Sequence, residues 1–148
     1  NRVDFEMITD YWKDTGTPGD IIHANGEILK NMKPYFFGVK EDGAEFSGNV
    51  MVGKGTKISG SSKILGPCII GENCIIGPTV ILGPNVSIGD NSKLSYCDIK
   101  NSIVMKNCCI DSPMKIINSI LASNSRITVD KQNDEKVFLL GEGTVISL

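Results

Sequence analysis

Residues 64–94 read ILGPCIIGENCIIGPTVILGPNVSIGDNSKL, and within them Ile64, Ile70, Ile76, Leu82, Ile88 and Leu94 fall six residues apart. Counting back in the same register adds Ile58, Val52 and Phe46, nine apolar residues in all. In a chain that is 41% hydrophobic, such a run arises by chance with a probability on the order of 10⁻⁴. A period of six matches neither the 3.6 of an α-helix nor a heptad, and plain strand alternation needs no glycine between the apolar positions. The spacing predicts a solenoid.

The intervening residues specify its type. After the apolar position come Gly53, Gly71, Gly77, Gly83 and Gly89, and near the same corners stand Asn49, Gly55, Asn73, Asn85 and Asn91. Glycine and asparagine tolerate positive φ, which a chain turning every six residues requires. The fifth position of each hexad is small or β-branched in most cases: Val50, Thr56, Ser62, Cys68, Cys74, Val80, Val86, Ser92 and Asp98. Such side chains fit the narrow interior of a triangular coil made of three short parallel strands. The predicted fold is therefore mainly β, a left-handed parallel β-helix of hexapeptide repeats. Three hexads per coil stack Phe46, Ile64 and Leu82, then Val52, Ile70 and Ile88, then Ile58, Ile76 and Leu94. Beyond Leu94 the step shortens to five at Ile99 and Val104, returns to six at Ile110 and Ile116, and shortens again before Leu121 and Ile127. After the polar break 131–136, Leu140 and Ile146, with Gly141 between them, are expected to close the last coil and cover its open edge.

Residues 1–45 differ from the repeat. Thr17-Pro18-Gly19-Asp20 is a helix start with proline at the first helical position, and Ile21, Ile22, Ala24, Ile28, Leu29 and Met32 follow at helical spacing up to Pro34. One amphipathic helix needs a surface to pack on, either the coils or a domain outside these residues. Tyr35, Phe36 and Phe37 suit a plug at the solenoid end or a domain junction. The division is thus residues 1–45, the tail of a catalytic domain with helix and linker, and residues 46–148, the β-helix domain. Because the chain starts without methionine and without a visible beginning to a fold, it is read as the C-terminal part of a larger enzyme.

The bulk chemistry narrows the partners. Fifteen basic and 17 acidic residues give a net charge of −2, which offers no general attraction to nucleic acid or anionic lipid. No apolar stretch reaches the roughly 20 residues of a membrane-spanning helix, and the cytoplasm is the expected setting. The five cysteines, including the vicinal pair Cys108 and Cys109, suit free thiols rather than a secreted disulfide framework. Cys68 and Cys74 are read as core fillers, not zinc ligands. Lys106, Lys115 and Arg126 are interspersed with Asp98, Asp111 and Asp130, the pattern of a solvated face.

The string YWKDTGTPGDIIHANGEIL at residues 11–29 closely resembles the end of the catalytic domain of sugar-1-phosphate nucleotidylyltransferases, particularly glucose-1-phosphate thymidylyltransferases. Its specific part runs from Trp12 through Asp14, Thr15 and Gly16 to Pro18. The segments ILGPCIIGENCIIGP, CDIKNSIVMKNCCID, KIINSILASNSRI and FLLGEGTVISL resemble, in order, the C-terminal region of the long form of that family. The resemblance covers residues 11–148. It implies a parent that carries a nucleotide-binding α/β domain with a glycine-rich phosphate loop and joins a sugar 1-phosphate to a nucleoside triphosphate with release of pyrophosphate. Glucose 1-phosphate and dTTP are the favoured substrates, and the present chain would be structural and oligomerising. The resemblance also implies that Asp14 helps hold Mg²⁺ in the intact parent, a hard cation that prefers oxygen ligands; a turn residue is the plainer reading of the same aspartate. No catalytic residue and no bound cofactor are expected within residues 1–148 alone. Self-association is expected, as a trimer first and a dimer second.

A rival class uses the same solenoid: hexapeptide-repeat acyltransferases, which need a histidine general base. The sole histidine, His23, falls in the pre-repeat helix, and Tyr96, Cys97 and Asp98 would be unusual substitutes. The missing base weighs against this activity more than the fold weighs for it.

Overall fold

The computed structural model describes residues 17–147. Its first element is helix α1 (Pro18–Lys30), and Thr17 caps it, its Oγ1 accepting the Asp20 N–H at 3.2 Å. Sixteen short strands follow and join in one sheet. They wind as a left-handed β-helix of about six turns with three faces. Face A comprises β1 (Tyr35–Phe36), β4 (Val50–Val52), β7 (Cys68–Ile70), β10 (Val86–Ile88) and β12 (Ser102–Val104). Face B holds β2 (Val39–Lys40), β5 (Lys57–Ile58), β8 (Ile75–Ile76), the first part of β11 (Lys93–Lys100) and of β13 (Cys109–Leu121), and β14 (Arg126–Asp130). Face C holds β3 (Glu45–Ser47), β6 (Lys63–Leu65), β9 (Ile81–Leu82), the later part of β11 and the middle of β13, whose last residues, Ile120 and Leu121, pair with β12 on face A.

All nine expected ladder residues stack as the hexad count requires: Phe46, Ile64 and Leu82 on face C; Val52, Ile70 and Ile88 on face A; Ile58, Ile76 and Leu94 on face B. The shortened steps keep these ladders intact. Leu82 continues to Ile99 and Ile116, Ile88 to Val104 and Leu121, and Leu94 to Ile110 and Ile127. From Ile58 through Ile127 each of these side chains is buried. The removed residue comes out of a corner, where Tyr96 at φ 63° and Asn101 at φ 46° turn the chain.

Two details differ from the hexad reading. Asp98 is not an inward residue: Cys97 is buried and Asp98 points outward beside it. The second interior position is fixed at two places before each ladder aliphatic, as Val50, Thr56, Ser62, Cys68, Cys74, Val80, Val86, Ser92, Cys97, Ser102, Cys108, Met114, Ser119 and Ser125 show, all buried and all but Met114 small or β-branched. A forward count slips when a step shortens; a backward one does not. Nor do all the corner glycines serve positive φ. Gly77 and Gly83 do, at 116° and 95°. Gly53 and Gly89 instead meet the neighbouring coil so closely that an added Cβ would run into the backbone of Gly71 and of Lys106.

The solenoid's first coil starts at Tyr35, ahead of Phe46, since β1 pairs with β4 and β2 with β5. Lys40 occupies the ladder position above Ile58, and a polar residue there breaks the apolar count. Its Nζ sits 4.7 Å from the centroid of the Phe46 ring, a cation–π contact that caps the open end, and Phe36 meets Phe46 edge-on at 5.8 Å. At the other end the chain reverses instead of adding a parallel coil. Residues 131–134 form a turn in which Asp130 Oδ1 accepts the Gln132 N–H at 2.9 Å. β15 (Glu135–Leu139) then pairs antiparallel with β14, and β16 (Val145–Ser147) antiparallel with β13. Phe138 and Ile146 pack on the core, whereas Leu140 is 45% exposed. The final segment therefore covers the edge as expected, with the opposite strand sense.

Helix α1 lies along face A. Leu29 packs on Met51 and Ile69, Asn25 Oδ1 accepts the Ser87 hydroxyl at 2.7 Å, and Ile21 and Ile22 pack on Ile103 and Ile120. Asn49, expected at a positive-φ corner, leaves that role to Gly48 at φ 73°. Its Nδ2 donates to the carbonyls of Leu29 and Met32 at 3.3 and 2.6 Å, tying the C-terminal end of the helix to the coil beneath it. Burial of Ile70 between Val52 and Ile88 generates a prediction. Ile70→Asp places an unpaired carboxylate in a dry ladder and should cost about 4 kcal/mol or more, whereas Ile75→Asp, at a position 45% exposed, should melt close to wild type. Thermal denaturation followed by circular dichroism compares the two.

Candidate functional site

The residues singled out from sequence do not converge. Asp14 and the rest of the Trp12–Gly16 string lie outside the described residues. His23 sits on the solvent side of α1, with its side chain 77% exposed and Nε2 4.0 Å from Glu27 Oε1. Tyr96, Cys97 and Asp98 are at the corner joining faces B and C, whereas α1 covers face A. The structure thus separates the one imidazole from the groups that an acyl-transfer base would need beside it. Lys106 stands at the corner between faces A and B, Lys115 on face C and Arg126 on face B, all exposed, so they form no common patch.

The cysteines are free, and four of the five are buried. Burial pushes the thiols of Cys68 and Cys97 up to about 12 and that of Cys108 to about 11, and raises Cys74 as well. A thiolate has no solvation in the coil interior, so the neutral form persists. Cys74 Sγ donates to Gly89 O and Cys108 Sγ to Ala122 O, each at 3.2 Å. These thiols pack in the interior and supply a weak donor.

One concavity was not anticipated from sequence. A cleft of about 550 Å³ opens where the C-terminal end of α1 meets the first coils, lined by Met32, Tyr35, Phe37, Lys54, Glu72 and Asp90 over the glycines 53 and 71. Tyr35 and Phe37 stack with centroids 5.3 Å apart and rings inclined by 29°. Lys54, Glu72 and Asp90 recur at one corner in successive coils, and Asp90 Oδ1 accepts the Glu72 N–H at 2.8 Å. Their 18-residue spacing was the available signal, but it marks position along the coil without showing that Phe37 closes the other side. The cleft has one cation and two carboxylates and no histidine. Among the described residues no three His, Cys, Asp or Glu side chains come close enough to hold a metal ion, so these residues do not themselves fit a Mg²⁺ site.

Residues 64–147 match the GMPPB C-terminal domain, and the chain belongs to that family. Homologues are nucleotidyltransferases. The chain is 33% identical to the glucose-1-phosphate thymidylyltransferase of Streptomyces antibioticus over 55 residues, which is 37% of this chain and 15% of that protein. It is 40% identical over 45 residues to the bifunctional protein GlmU of Methanococcus vannielii, 30% of this chain and 11% of that protein. The chain therefore spans only a small part of these relatives. Among solved structures, PerB from Caulobacter crescentus in complex with CoA and GDP-perosamine aligns at a TM-score of 0.44 and 13% identity, over 76% of this chain and 58% of that one. The acetyltransferase domain of PglB from Neisseria gonorrhoeae, in complex with acetyl coenzyme A, aligns at 0.41 and 12%, over 70% and 55%. No functional weight attaches to either at that similarity.

The raised thiols yield a pH dependence. Below about pH 9, the ordinary value of a thiol, folded and unfolded chains both hold the protons and the thiols contribute nothing to the slope. Between about 9 and 12 the unfolded chain releases protons that the folded one retains, so stability falls as pH rises. The melting temperature should drop across that window, and Cys68→Ala should flatten the drop. At pH 8, a thiol reagent should titrate half-buried Cys109 quickly and the four buried thiols only on unfolding.

Proposed function

We propose that this chain is the C-terminal solenoid region of a nucleotidylyltransferase that makes a nucleoside diphosphate sugar from a sugar 1-phosphate and a nucleoside triphosphate, with glucose 1-phosphate and dTTP favoured. The observation that carries this reading is the family match across most of the coils, with the resemblance at residues 11–29 supporting it. On this reading the residues ahead of Tyr35 join the catalytic domain to the solenoid, whose first coil begins at Tyr35, in a cytoplasmic enzyme. The solenoid itself is structural. Its interior is filled by aliphatic ladders, its thiols are neutral, and the described residues offer neither a phosphate-binding loop nor an acid–base pair. Its exposed flat faces support self-association, as a trimer or a dimer.

Asp14 is assigned to the Mg²⁺ site of the intact parent. Mg²⁺ there would neutralise charge on the phosphates as the bond to phosphorus changes. A carboxylate that touches the ion should matter at least as much as the outer groups that orient such ligands. Asp14→Asn in the intact enzyme should then lower turnover by roughly 10- to 100-fold, with melting temperature and oligomer size unchanged. Wild-type turnover at limiting Mg²⁺ would reduce Asp14 to a turn residue.

The reading as a whole is tested by pyrophosphate release from a panel of nucleoside triphosphates and sugar 1-phosphates, with the intact parent and with residues 1–148. Turnover should appear in the parent, highest with dTTP and glucose 1-phosphate, and be absent from residues 1–148. A parent that instead transfers acetyl groups from acetyl-CoA would replace this reading with the acyltransferase one.

A further inference from the structure

We propose that face C is a two-fold self-association surface, on which a second copy of this chain packs antiparallel with Ile81 at the symmetry axis. The proposal rests on the self-association put forward above and specifies its surface, register and symmetry. It begins from what is left open. α1 covers face A through Leu29, Asn25, Ile21 and Ile22, so that side is closed to another chain.

Faces B and C differ in charge order. Side chains alternate in and out along each strand, so the residue before each ladder aliphatic points outward. On face B these are Val39, Lys57, Ile75, Lys93, Cys109 and Arg126. The column contains cations and no carboxylate. Laid on a reversed copy of itself, it sets cations against cations or apolar groups in every register.

On face C the outward column reads Glu45, Lys63, Ile81, Asp98, Lys115, joined by continuous strand pairing. Its charges run negative, positive, apolar, negative, positive. A two-fold axis parallel to the strands reverses this order on the partner while keeping the column opposite itself. With the axis at Ile81, Glu45 meets the other copy's Lys115, Lys63 meets its Asp98, and Ile81 meets Ile81. Every charge finds its opposite, and symmetry repeats each pairing. Such self-complementarity is what an isologous contact demands.

A further observation bears on the same face. Among the described residues neither Asp98 nor Lys115 has an ion-pair partner, so both charges are left for a group brought alongside. In the neighbouring outward column, the same operation lays half-buried Leu65 against the methylenes of Lys100 and gives Ile117, 39% exposed, a position beside Ser47. The face spans only five strands about 4.8 Å apart, less than the roughly 800 Å² per partner of a standard interface. Opposed charges here set register more than affinity, so the contact should be weak and salt-sensitive.

The test is sedimentation equilibrium of residues 1–148, with circular dichroism to verify folding, on wild type, Glu45→Lys, Lys115→Glu and the double variant. Wild type should be a dimer at tens of micromolar in about 20 mM salt and dissociate roughly 10-fold more readily near 500 mM. Each single reversal should weaken the dimer by about 10-fold. The double variant should restore it, because the two-fold places residue 45 opposite 115. Glu45 also bridges Lys63 at 3.5 Å; should Glu45→Lys misfold, Lys115→Glu, which breaks no such bridge, decides the matter. Unchanged association in the single variants, no recovery in the double, or a trimer mass would overturn the face C two-fold while leaving self-association standing. A wild-type monomer at every concentration would overturn both.

Discussion

The structure depends on the cross-section of a single coil. Three strands of two or three residues leave room inside for one aliphatic side chain per face and one small side chain beside it, and parallel pairing then repeats that arrangement at each level. Every other feature adjusts to this packing. The interior cannot take a charge, so Asp98 is turned outward and Cys97 takes its place inside. It cannot take bulk at a corner, so Gly53 and Gly89 meet backbone where other residues would bring a Cβ. It favours a small side chain two places before each aliphatic, and serine, valine and cysteine share that role. Buried hydroxyls are mostly put to use: Thr56 Oγ1 donates to Gly71 O at 2.6 Å and accepts the Cys74 N–H at 3.0 Å, joining successive coils.

This explains what could be read from the chain and what could not. The ladders were legible from Phe46 to Ile127 because identity repeats whenever packing repeats, even across the five-residue steps. The first coil escaped the count since Lys40 stands at a ladder position and satisfies it with an aromatic ring. The reversal at the far end escaped it too, because Leu140 and Ile146 keep a six-residue spacing while strand direction is set by the turn at 131–134. The docking of α1 left a mark that a period of six hides. Outward residues on face A are Met51, Ile69, Ser87, Ile103 and Ile120, whereas those on the other faces are largely charged. Sorting outward residues by face, not only by repeat, reveals which side is covered.

The same reasoning limits what the solenoid does chemically. A regular coil presents equivalent positions at intervals of one strand spacing, which suits docking and alignment but rarely brings unlike catalytic groups together. The cleft by Tyr35 and Phe37 arises only where the helix end disturbs that regularity. What the coils supply is shape, spacing and charge order.

Solenoids are one-dimensional objects: each coil touches only its neighbours, so coils can peel from an end singly. Helix α1 changes the dimensionality of this one. It is fastened at Met51 and Ile69 near one end, at Ser87 midway, and at Ile103 and Ile120 near the other. Opening either terminal region beneath the helix thus breaks contacts that span the stack. Nearest-neighbour unzipping gives way to a transition shared by all the coils, and the helix acts as a spine that makes separate repeats behave as a single cooperative body.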